Sequence, residues 1–181
     1  MRKRTFLAIL IGVVFSMING CAPVMVSVSN PSVRTATNPY YEVKFEPLKQ
    51  GLRSFVVFEL IVTNKTDVEL EIDWNQTRYL YNGRPNGLFV FRGIEPGATQ
   101  SRTIPTDVIS PQDTFTRIIA PHKLLAYAPF REQLKQDPDE PAFSGGPIPA
   151  GESGILLVVK RKDQVIKEKL AVKITKVESE Q

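Results

Sequence analysis

Two stretches of strict period-two alternation constrain the architecture open to this chain. Tyr41, Val43 and Phe45 alternate with Glu42, Lys44 and Glu46. Leu70, Ile72 and Trp74 alternate with Glu69, Glu71 and Asp73. Successive side chains of a β-strand point to opposite faces, so each stretch presents one apolar face and one charged face. A helix would scatter the same residues around its circumference. Each stretch is therefore expected to be a strand with one side on a core and the other in water.

The rest of the chain repeats the pattern in short pieces. Residues 55–62 are an apolar run suited to a central strand. Residues 64–67 read as a turn. Residues 78–81 continue the Trp74 path with the aromatic parity changed, which predicts a bulge or bend near Asn75, Gln76 and Thr77. Asn82-Gly83-Arg84-Pro85-Asn86-Gly87 has the composition of a hairpin loop, and residues 88–91 return from it. Further strands are expected near 100–104 and 114–120. A closing hairpin runs from 155–160 through Arg161-Lys162-Asp163-Gln164 to Leu170, Val172 and Ile174. Residues 121–150 are proline-rich. Within them Phe130 and Leu134 fit one face of a short helix that Pro129 could start and Pro138 would follow. Many short strands with turn signals between them, and one short helix in a long loop, predict an all-β, two-sheet β-sandwich over residues 40–178.

The N-terminus has a different character. Met1-Arg2-Lys3-Arg4 is basic, and Phe6 opens an apolar run that ends at Phe15. These are the n-region and h-region of a secretory signal. The run is shorter than the roughly 20 apolar residues of a transmembrane helix. Ile18-Asn19-Gly20-Cys21 then resembles the lipobox of bacterial lipoprotein precursors: an aliphatic residue, a variable one, a small one and cysteine. The resemblance covers about twenty residues. It implies that residues 1–20 are an export signal, cut off after Gly20, and that Cys21 carries a diacylglyceryl group and an acylated amino group. The chain's single cysteine stands where lipidation requires it. The resemblance also implies a location. Asp after the cysteine retains many such proteins at the inner membrane, and Ala22 in its place favours the periplasmic face of the outer membrane.

Residues 22–39, punctuated by Ser, Thr, Asn and Pro, read as a tether of about 20–25 Å mean reach. The alternative is a first edge strand formed by residues 24–28. Once Cys21 is lipidated, no disulfide is possible, so the domain depends on its core. Arg2, Lys3 and Arg4 are three of the 23 basic residues, and without them the net charge falls from +4 to +1. That near-neutral balance leaves no nucleic-acid footprint.

A second resemblance concerns the domain. Residues 58–64, Leu70-Glu71-Ile72, Tyr79-Leu80-Tyr81-Asn82-Gly83 and Ile148-Pro149-Ala150-Gly151-Glu152 resemble immunoglobulin-like sandwiches of the late-embryogenesis-abundant and water-stress type. It implies an immunoglobulin-like arrangement of the two sheets and carries no function.

Chemistry-bearing residues are sparse. His122 is the only histidine, in a Pro-flanked context, and reads as a loop residue rather than a base or ligand. Asp137, Asp139 and Glu140 read as a solvated acidic loop, without the glycine and spacing of a calcium loop. No cofactor, metal or catalytic set is implied. Two contact candidates stand out. One is the loop bearing Asn82, Gly83, Arg84 and Asn86. The other is an aromatic surface of Tyr79, Tyr81 and Phe89, although strand aromatics more often fill a core. The sequence thus favours a lipid-anchored, non-enzymatic module. It would engage an envelope protein or polymer through a loop or a sheet edge. A lipoprotein that captures a small molecule or glycan is the alternative, and an envelope hydrolase built on a carboxylate pair is the third reading.

Overall fold

A computed structural model describes residues 24–92, 94, 104–127 and 143–179 of the 181. Residues 1–20, read as an export signal, Cys21, the short helix expected around Phe130 and Leu134, the expected acidic loop, and all but Ile104 of the strand expected at 100–104 lie outside the described residues. Among the described residues the chain is almost entirely β. The strands in order are β1 (Met25–Asn30), β2 (Arg34–Thr37), β3 (Tyr41–Leu48), β4 (Val57–Asn64), β5 (Leu70–Ile72), β6 (Arg78–Tyr81) and β7 (Arg84–Pro85). They continue with β8 (Phe89–Val90), β9 (Asp107–Ile109), β10 (Thr114–Pro121), β11 (Leu125–Tyr127), β12 (Phe143–Gly145), β13 (Gly151–Arg161) and β14 (Gln164–Glu178).

These strands make the two-sheet β-sandwich that the alternation predicts. One sheet runs β1-β14-β13-β5-β9, with β6 also on β13 and β7 on β6. The other runs β2-β3-β4-β10-β8, and β11 and β12 form a separate ribbon. The pairings within the two sheets are antiparallel.

The core lies where the alternation put it. Tyr41, Val43 and Phe45 of β3 are fully buried, as are Leu60 and Val62 of β4. They meet Leu70, Ile72, Ile155, Leu157, Val159, Leu170, Val172 and Ile174 from the opposite sheet. Each such side chain contributes about 1.5–3 kcal/mol on burial. Aromatic rings thicken the layer: Phe45 stacks on Phe58 at 4.4 Å, and Phe89 meets Phe58 and Tyr79 edge-on at 6.4 and 5.8 Å.

The bend expected near Asn75 is a turn that moves the chain along one partner strand. β5 pairs with Val159 and Lys160, whereas β6 pairs with residues 153–156 of the same β13. Asp73 organises the turn. Its carbonyl accepts from Thr77 N at 2.9 Å, and its Oδ1 accepts from Gln76 N at 3.1 Å.

Residues 22–39 differ from the tether reading. Their described part holds β1 and β2, so the folded domain starts at Met25 rather than at residue 40. The reason is tertiary. β14 extends beyond β13, whose first residue Gly151 is opposite Ile174. The overhanging backbone is paired by β1, with Val28 opposite Thr175 and Met25 opposite Glu178. Strand formation there is set by an available partner more than by local pattern.

Candidate functional site

The loop that carries Arg84 is a tight hairpin. Tyr81 pairs with Arg84, leaving Asn82 and Gly83 as the two turn residues, with φ of 49° and 76°. Positive φ at both positions marks the type I′ turn that matches strand twist, and Asn-Gly is its preferred sequence. The base is rigid. Asn82 N donates to Glu152 O at 2.8 Å, and Asn82 Oδ1 accepts from Glu152 N at 2.9 Å. Asn86 N donates to Tyr79 O at 2.7 Å, and Tyr79 N donates to Gly87 O at 2.9 Å.

The four loop residues therefore divide by role. Asn82 and Asn86 hold the hairpin to its neighbours, Gly83 makes the turn, and Arg84 is exposed to solvent. Two lysines flank the tip. Lys123 Nζ donates to Asn86 Oδ1 at 3.3 Å. Lys169 Nζ lies beside Gly83, where an added Cβ would meet it at 4.0 Å. The hairpin thus gathers three cations, with the exposed carboxylate of Glu152 at its foot.

The aromatic surface does not form. Tyr79 and Phe89 are buried in the core, where the inner face of β6 meets β4 and β8. Tyr79 OH lies 3.0 Å from Ser153 Oγ. Burial raises the Tyr79 pKa above its ordinary value; the Ser153 hydrogen bond offsets part of the rise, and Tyr81 adds to it. Tyr81 alone is partly exposed, and its hydroxyl donates to Ala150 O at 2.8 Å.

A second organised cluster was not visible in the sequence. Asp107 on β9 accepts from Trp74 Nε1 at 2.7 Å through one oxygen and from Arg117 on β10 at 2.7 Å through the other. The Arg117 guanidinium sits over Phe91 at 4.3 Å and Phe115 at 5.1 Å. Asp107 belongs to one sheet and Arg117 to the other, so the cluster ties the two sheets together. Asn64 does similar work at the end of β4: its amide donates to Val68, Ile109 and Ser110 carbonyls, and its oxygen accepts from Thr66. Asp73 pairs with Lys160 at 2.7 Å. His122 opens a 3-10 turn, His122–Leu124, and its backbone N–H donates to Leu88 O at 3.0 Å. Among the described residues no three His, Cys, Asp or Glu side chains are grouped to hold a metal ion.

The chain matches no family model, no curated protein and no solved structure. The functional reading accordingly rests on the residues themselves.

Proposed function

We propose that the chain is made as a lipoprotein precursor and matures into a lipid-anchored, non-enzymatic interaction module of the bacterial cell envelope. The observation that carries this reading is the order of features at the N-terminus. A basic cluster and a short apolar run lead through Ile18-Asn19-Gly20 to the chain's single cysteine, Cys21. The start of β1 at Met25 agrees with it, since the domain begins just behind the anchor point. Ala22 favours the outer membrane, with the domain in the periplasm.

The partner contact is assigned to the β6–β7 hairpin. A rigid hairpin exposing Arg84, with Lys123 beside Asn86 and Lys169 beside Gly83, suits an anionic segment of an envelope protein or polymer. The buried polar groups Asn64 and Asp73, and the partly buried Asp107, support a scaffold role, because each one ties strands or turns together.

Two variants test the two halves. Cys21→Ser should abolish fatty-acid labelling in intact cells and leave the precursor uncut; label retained in the variant refutes the anchor. Arg84→Ala should leave stability within about 0.5 kcal/mol, as exposed sites do. It should also weaken co-purification of the partner from solubilised membranes. An unchanged pull-down removes the hairpin from the reading.

A further inference from the structure

Among the described residues the large exposed apolar side chains are unevenly placed. Met25, Val28, Leu52 and Val177 stand on β1, opposite β1, or beside the loop bonded to it; Val108, Ile118 and Val165 lie elsewhere. The pairing brings the strand members of the first group to one end of the sheet, Val28 and Val177 on one face and Met25 on the other. Val26 is opposite Val177 and Met25 opposite Glu178. Ser27 N donates to Arg53 O at 2.8 Å, which places Leu52 beside the first residues of β1. Leu52 is 57% exposed and Met25 43%, values that an isolated sandwich gains nothing from. Arg53 and Lys176 are exposed at the same end, and Lys49 is partly so, with Glu178 the one carboxylate among these described residues. An apolar tip rimmed by cations is the chemistry of a surface that lies in a lipid headgroup layer.

Chain length points to the same occupant. Four peptide steps separate Cys21 from Met25 and span at most about 14 Å when fully extended. A lipid on Cys21 enters the hydrocarbon, and the headgroup layer above it takes about 5–8 Å of that length. The start of β1 is then held within about 10 Å of the headgroups, so the domain cannot hang free of them. We infer that the end of the sandwich formed by Met25, Leu52 and Val177, with Lys49, Arg53 and Lys176 around it, rests on an anionic phospholipid surface. This rests on the lipid-anchor reading of Cys21, and it fixes how the anchored domain is oriented.

The test uses the mature full-length chain, lipidated and reconstituted into vesicles of phosphatidylethanolamine and phosphatidylglycerol. Cys21 is blocked by its lipid, so single cysteines introduced as Leu52→Cys, Val177→Cys and Val165→Cys can each take a fluorophore. Val165 is the control, beside the β13–β14 turn at the opposite end of β14. Labels at 52 and 177 should lose most of their quenching by aqueous iodide and gain quenching by spin-labelled lipid, while the label at 165 shows neither change. Arg53→Glu with Lys176→Glu should reverse the protection in vesicles that still carry the protein. Protein that floats with vesicles but is quenched equally at all three positions overturns the inference and leaves the anchor standing. Protein that does not float, with no lipid on Cys21 by mass spectrometry, instead overturns the anchor reading on which the inference rests. Protection of residues 52 and 177 already present in detergent, without vesicles, assigns the surface to a second copy and also overturns the inference.

Discussion

Trp74 offers the sharpest test of how the sandwich is held. It is 1% exposed, its ring lies 4.9 Å from that of Phe91, and its Nε1 donates to Asp107. Two contributions can be separated. Removing the indole in Trp74→Ala forfeits its packing, about 3–5 kcal/mol for a large buried aromatic. A hydrogen bond to an ionised carboxylate is worth about 1.5–3 kcal/mol. Asp107 keeps its bond to Arg117 and is 21% exposed, so water replaces part of what the indole gave. Trp74→Phe, which keeps most of the ring contact, should therefore cost about 1.5 kcal/mol, at the low end of that range. Trp74→Ala should cost about 4–5 kcal/mol, against a total stability of about 5–15 kcal/mol for a domain of this kind. With a urea slope of about 2 kcal/mol/M, the midpoints should fall by about 0.8 M and about 2 M. Circular dichroism is the suitable signal, because Trp74 is the only tryptophan and its fluorescence leaves with it. A Trp74→Ala protein within about 1 kcal/mol of the parent would show that the ring is not a core element. Equal losses in the two variants would refute the division between packing and hydrogen bond.

Tyr41 is pushed up to about 12, first by burial and then by Glu168, with Asn38 acting in the lowering direction; its hydroxyl has no hydrogen bond of good geometry among the described residues. Folding thus disfavours ionisation of the phenol: stability is unaffected by this group's titration below about pH 10 and falls as pH rises from there toward the folded value. Tyr41→Phe should flatten the alkaline limb of a melting profile and gain up to about 1 kcal/mol near neutrality. Burial alone would raise Asp73, but hydrogen bonds from Lys160 and Gln76 and the Lys160 charge outweigh it and hold the carboxyl below its usual range. Its contribution is present above about pH 4 and lost as pH falls through the folded value, so parent and Asp73→Asn should differ most above about pH 5 and converge in acid. Gly154→Ala would drive a Cβ into the Leu170 carbonyl on the adjoining strand. Chemical denaturation should show a loss of about 2–3 kcal/mol, and an unchanged midpoint would mean the strands can part there freely.

Legibility in the sequence followed the range of the interactions. β3, β5 and the β13–β14 hairpin were readable because their inward and outward residues differ in polarity within a few positions. β1 and β2 were not. Ser27, Ser29, Thr35 and Thr37 give them little pattern, and the overhang of β14, more than a hundred residues away, makes a strand of β1. The aromatic surface failed for a related reason. Tyr79 and Tyr81 share a face, yet Tyr79 lies under Phe58 and Phe89 while Tyr81 reaches the rim. Parity along a strand does not say how far the facing sheet extends. The hairpin at Asn82–Gly87 was legible, because turn chemistry is local, but as a six-residue loop rather than as the two-residue Asn82-Gly83 turn leading into β7. The Trp74–Asp107–Arg117 clamp was not, because it exists only once two sheets are stacked.

The pairing of Met25 with Glu178 joins the first strand of the domain to its last. Such non-local pairing has to wait for loop closure across nearly the whole chain, which slows folding. A chain threaded through an export channel from its N-terminus would deliver β1 long before β14. With Cys21 lipidated as proposed, the acyl chains would enter the bilayer while the edge of the sheet is still open, and the membrane would hold one end of the polypeptide during the search. Both ends of the finished domain then leave from the same place. With the proposed anchor in place, a tag or fusion partner following Ser179 would emerge beside β1, whereas one inserted at Lys162-Asp163 would stand at the opposite end of the hairpin.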